Sequence, residues 1–140
     1  MTFELHALLN RDTYLIAESE LNLLLLHKDA NYPWFILVPK IANISEIYQL
    51  DWQDQQQLLN ESSLLSELLM QVFAGDKMNV AALGNVVEQL HVHHVVRFKT
   101  DSQWPKPIWG QQAASPYSAE ALAELKEKLL PQLAVIFSEK

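Results

Sequence analysis

The chain has no cysteine among its 140 residues. No disulfide can form, and no thiolate can attack a substrate or hold a metal, which agrees with a reducing compartment. Basic residues are scarce: ten Lys and Arg stand against seventeen Asp and Glu, a net charge of −7. An acidic surface argues against non-specific binding to nucleic acid or to an anionic membrane. It leaves room for a small anionic ligand held by backbone N–H groups and a few placed side chains. Long apolar runs are also missing, and none approaches the ~20 residues of a membrane helix. The opening MTFELHALLN lacks the basic start and apolar stretch of a signal peptide. The expectation is one soluble, cytoplasmic domain over 1–140, without nucleic-acid or membrane partners.

What is present is an ordinary globular composition, 49% hydrophobic and 19% charged. TYLIAESELNLLLLHKD reads as two strands joined near Glu18–Glu20, and YPWFILVPK as a third, bounded by Pro33 and Pro39. The best helix lies within ANISEIYQLDWQDQQQLLNESSLLSELLMQVFAGD. Leu58, Leu65, Leu68, Leu69, Val72 and Phe73 follow helical spacing, Asp51 suits the N-cap and Gly75 the stop. KMNVAALGN reads as a short strand ending in a turn, and VEQLHVHHVVRF as a strand of about ten residues. A loop of Pro, Gly and Trp follows. The last helix is capped by Ser118, and Pro131 is expected to kink or break it. Strands, helix, strands, helix predict an α+β fold: an antiparallel sheet of about five strands, one long central helix and a C-terminal helix.

EQLHVHHVV, residues 88–96, places three of the five histidines in four positions. Alternation along a strand puts Gln89, His91, His93 and Val95 on one face and Leu90, Val92, His94 and Val96 on the other. The cluster is therefore a pair, His91 and His93, about 6–7 Å apart at Cα. His94 faces the core, hydrogen-bonded to backbone and neutral at pH 7. Spacing alone leaves three readings of the pair: a metal site, a nucleophile with helpers, or an exposed polar face.

GNVVEQLHVHHVV resembles the motif of the histidine triad (HIT) nucleotide hydrolases and transferases, His-φ-His-φ-His-φ-φ with φ apolar. The central histidine falls on His91 and the third on His93. The first falls on Gln89, and His94 occupies a φ position; both depart from the pattern. DANYPWFILVPK before the long helix, and WPKPIWG after the histidines, extend the likeness over residues 12–112. Gln-Leu-His-φ-His with WPKPIWG is similar to a bacterial, diadenosine-tetraphosphate hydrolase-like subgroup.

The resemblance implies that His91 attacks a nucleotide α-phosphate and that water releases the nucleoside monophosphate from a nucleotidyl-histidine intermediate. Substrates would be dinucleoside polyphosphates or nucleoside phosphoramidates. No cofactor is required, no residue is assigned to a metal, and a homodimer is implied. His93 and Asn85 would serve the phosphate with Gln89, an amide that cannot act as an acid. Gly84 would allow a tight turn beside them. Asp29 is chosen to hold ribose hydroxyls, with His27 and Asn31 as alternatives, and Asn79 as a further nucleotide contact. Otherwise His6 and His27 read as surface or packing residues, and Trp104 and Trp109 as pins for their loop. Two other functions stay open: a nucleotide-binding sensor with little turnover, suggested by Gln89, and a metal-dependent hydrolase using both histidines and a carboxylate.

Overall fold

The computed structural model describes residues 2–140. In chain order the elements are α1 (Ala7–Asp12), β1 (Thr13–Glu18), β2 (Asn22–His27), β3 (Trp34–Pro39), α2 (Trp52–Phe73), β4 (Lys77–Ala81), β5 (Val92–Arg97), α3 (Ala119–Leu133) and β6 (Ser138–Glu139). The six strands form one antiparallel sheet in the order β4-β5-β3-β2-β1-β6. The sixth strand, beyond the expected five, is a two-residue edge against Ala17 and Glu18. The short α1, absent from the expected helices, is capped by His6, whose Nδ1 accepts from the Leu8 N–H.

The two faces of the sheet bury separate sets of side chains, as strand alternation requires. Leu24, Leu26, Phe35, Leu37, Val92 and Val96 pack under Leu58, Leu65 and Leu69 of α2 and Leu129 and Leu133 of α3. Leu23, Leu25, Trp34, Ile36, Val38 and Val95 pack on the other side with Leu9, Tyr32 and Ile108. Burying each such aliphatic side chain contributes about 1.5–3 kcal/mol, so both layers are needed to hold β3, apolar throughout, and the leucines of β2 between Asn22 and His27.

Asp51 caps α2 through Oδ1, which accepts from the Asp54 N–H at 2.8 Å. The stop differs from expectation. Ala74, not glycine, takes the left-handed conformation (φ 51°). Gly75 is needed for space: a Cβ there would lie 2.4 Å from Val96 Cγ1. Glu61 also lies on the apolar stripe of α2, buried and accepting from Ser19, Asn22 and Gln57. Ser118 caps α3, and the helix runs past Pro131 to Leu133. The missing proline N–H falls in the last turn, where Leu129 and Leu133 anchor the helix to the core.

Candidate functional site

β5 is six residues long rather than about ten. Its ladders reach only to His93 opposite Ala81 of β4 and Val92 opposite Leu37 of β3. Residues 82–91 form a loop, with Gly84 at φ 74° and the Leu90 N–H bonded to the Ile44 carbonyl at 2.8 Å. His91 is the last loop residue, yet it keeps the strand alternation. Its ring lies 4.9 Å from that of His93, edge to face.

His91 is buried among its neighbours, and its Nδ1 is 2.7 Å from the Gln89 backbone oxygen. A carbonyl only accepts, so Nδ1–H donates and Nε2 carries the lone pair. His93 differs. Its Nδ1 is 2.9 Å from Trp34 Nε1, an N–H donor. Burial, aided by the imidazoles of His91, His27 and His94, pushes His93 down to about 3. His94 points to the opposite face, fully buried, between the Val92 carbonyl at Nδ1 and Ser62 Oγ at Nε2. Burial pushes it down to about 4, so it is neutral at pH 7.

Gln89 is engaged at both ends of its amide. Its Oε1 accepts from the His6 N–H at 2.9 Å, and its Nε2 donates to the Glu4 carbonyl at 2.8 Å. The side chain thus clamps the segment before α1, with one Nε2–H left over. Asn85 is exposed on a groove of about 570 Å³ shared with His6, Asn43, Ser45 and Gln89. A smaller adjoining cleft joins Ser45, Gly84 and Gln89 to His91. The structure therefore brings Asn85, Gln89 and His91 to one edge of the site.

Asp29 and Asn79 are placed apart from that edge. Asp29 is buried, and its Oδ1 accepts from the Asn31 N–H, Asn31 Nδ2 and the Ser115 N–H. It ties its turn to residues 115–116. Asn79 stands opposite Val95 on β4, and its Oδ1 accepts from Arg97 Nη1 at 3.0 Å. Arg97 is buried, bonded to Asp101 through Nε and Nη2 and covered by the rings of Tyr32 and Trp104.

Two aromatic neighbours of the histidine pair, Trp34 and Trp109, were not singled out as site residues by pattern, and a third, His27, was an alternative for the ribose. Trp34 is stacked on His27, ring centroids 3.7 Å apart and planes 5° apart. The Trp109 ring is 5.3 Å from His93 and 6.2 Å from Trp34. Burial lowers the pKa of His27, whose Nδ1 accepts from the Asp29 N–H. Trp109 does pin its loop, and it does so against the site. Alternation along PWFILV gives Trp34 its partners on β3, but only the β3–β5 register sets it beside His93. Among the described residues no group of three His, Asp or Glu is arranged to hold a metal ion. Among them, no helix is long and apolar enough to cross a membrane.

The chain is 51% identical to a histidine triad protein from Marinobacter aquaeolei VT8, over 97% of this chain and 99% of that one, with a TM-score of 0.95. A histidine triad protein from Bradyrhizobium japonicum is 40% identical, over 94% of this chain and 98% of that one, with a TM-score of 0.91. One from Sinorhizobium meliloti 1021 is 37% identical, over 93% and 96%, with a TM-score of 0.90. Among curated proteins no relative matches the sequence. The HIT domain family model matches residues 9–100, which span the sheet from β1 to β5 and the histidine pair. The chain belongs to the HIT domain family.

Proposed function

We propose that this chain is a hydrolase or transferase acting at a nucleotide α-phosphate through a nucleotidyl-histidine intermediate on His91. Proteins of the HIT domain family bind nucleotides and generally hydrolyse or transfer at that phosphorus. The observation that carries the reading is the bond from His91 Nδ1 to the Gln89 carbonyl, 2.7 Å long. It turns the Nε2 lone pair outward as a nucleophile without an added base. His93 donates to a phosphate oxygen from Nε2–H, and Asn85 and the remaining Gln89 N–H serve the same phosphate. The free Oδ2 of Asp29 and the amide N–H of Asn79 remain as nucleotide contacts. The substrate is a dinucleoside polyphosphate or nucleoside phosphoramidate, the subgroup diadenosine-tetraphosphate hydrolase-like, the working form a cytoplasmic homodimer, and no cofactor is needed.

The test is nucleoside monophosphate release from diadenosine tetraphosphate, diadenosine triphosphate and adenosine phosphoramidate, for wild type and His91→Ala, with and without chelator. Release that vanishes in His91→Ala and survives chelation is expected. Loss of release on chelation would move the assignment to the metal-dependent hydrolase. The clamp made by Gln89 favours one second reading, a nucleotide binder with little turnover, since that amide is largely committed to residues 4–6. Nucleotide binding with no release from any substrate would establish it.

A further inference from the structure

The hydrogen bonds of the imidazoles decide where each proton sits. An indole N–H donates and never accepts. With Trp34 Nε1 at 2.9 Å, His93 Nδ1 must present its lone pair, and the proton of the neutral ring is on Nε2. Charging His93 would put a second proton on Nδ1, facing the indole proton inside a buried contact. The indole cannot turn away, because His27 lies flat against it and Trp109 stands edge-on. The titratable groups around His93 are His91, His27 and His94, all imidazoles that oppose a positive charge. The carboxylate of this cluster, Asp29, acts on His27 and is bonded into its own turn.

Two further histidines are held in the same way. His27 and His6 each accept at Nδ1 from a backbone N–H, of Asp29 and of Leu8. His94 is used at both nitrogens. His91 keeps its Nε2 lone pair for substrate. Beside the nucleophile, His93 is thus a neutral Nε2–H donor, and neither His27 nor His6 carries a proton at Nδ1.

We infer that Trp34 is a positioning residue that holds His93 as a neutral Nε2–H donor, and that the site thereby favours phosphoanhydrides, whose leaving group departs as an anion, over phosphoramidates. The substrate half of this inference rests on the α-phosphate reading above. In the first step His91 Nε2 attacks phosphorus. The N–P bond forms, the bond to the bridging oxygen breaks, and its electron pair stays on the departing phosphate, which needs no proton. With a phosphoramidate the P–N bond breaks instead, and the amine nitrogen must gain a proton as it leaves. His93 has only the Nε2 proton, and losing it would leave an imidazolate. Gln89 has no acidic proton to give. In the second step water attacks phosphorus, the N–P electron pair returns to His91, and a water proton passes to solvent for either substrate.

Two measurements test this. The imidazole ¹⁵N–¹H correlations of wild-type His93, followed from pH 5 to 8, are expected to show the Nε2–H tautomer without titration. In Trp34→Phe, which keeps a ring against His27 but has no N–H, His93 is expected to mix its Nδ1–H and Nε2–H tautomers. The kcat/KM ratio of diadenosine tetraphosphate to adenosine phosphoramidate is expected to favour the anhydride by roughly 10²-fold, the low end of what a positioned acid supplies. In Trp34→Phe kcat rather than KM should fall for both substrates, because part of His93 no longer donates from Nε2. A wild-type His93 with Nδ1–H, or one that titrates near neutrality, overturns the role of Trp34, and that spectrum decides even if the variant does not fold. Equal or faster phosphoramidate turnover with the stated tautomer overturns the substrate preference. Release from neither substrate removes the α-phosphate reading and the preference with it, while the His93 spectrum still decides the role of Trp34.

Discussion

His94→Val should flatten the acid side of the stability curve. His94 is fully buried on the helix face of β5 and pushed down to about 4 by that burial. In the unfolded chain it titrates near ~6.5. Between these values the unfolded chain binds more protons than the folded one, so stability falls as pH drops from ~6.5 towards about 4. At pH 5 the unfolded imidazole is nearly all charged while the folded one is roughly one-tenth charged, a loss of about 2 kcal/mol relative to pH 8. Valine removes that dependence. At pH 8 it also removes the bonds to Ser62 and Val92, but Ser62 is partly exposed and can turn to water. The change there should stay within about 1 kcal/mol. Other groups contribute to the acid slope, His93 and His27 among them. The difference between wild type and variant isolates His94. Urea midpoints followed by far-UV circular dichroism at pH 5, 6, 7 and 8 measure it. Parallel curves for the two proteins would refute the titration argument. Loss of nucleotide release as complete as in His91→Ala would refute the placement of His94 away from the site.

Gly75→Ala should destabilise by about 1–3 kcal/mol, because its Cβ would fall 2.4 Å from Val96 Cγ1 and 3.0 Å from Met70 Sδ. Thermal denaturation reads this, and an unchanged melting temperature would mean that α2 shifts away from β5 without strain. Asp101→Ala strips the buried Arg97 guanidinium of its carboxylate and should cost about 3–5 kcal/mol. A urea-unfolding loss below about 1 kcal/mol would show that Asn79 and the two aromatic faces suffice.

Local rules carried much of the architecture. A period of two put His91 and His93 on one face and His94 on the other, and the two buried layers divide along that line. Asp51 and Ser118 cap their helices because a side-chain oxygen there reaches a free N–H within one turn. The His91 tautomer depends on a carbonyl two residues away, so it too is a local property. The contacts that give the site its chemistry are not local. Trp34 reaches His93 across 59 residues, and Gln89 reaches His6 and Glu4 across 83 and 85. Each depends on strand pairing or chain return that periodicity cannot specify. Glu61 lies on the core stripe of α2 because Ser19 and Asn22 arrive from the β1–β2 hairpin to satisfy it. Sequence by itself determined most of the elements and their faces, since these follow from spacing along the backbone, whereas the role of His91 came from the family resemblance. Only tertiary structure decided which donor meets which acceptor, and with it where the protons of the site reside, because those partners are brought together by packing alone.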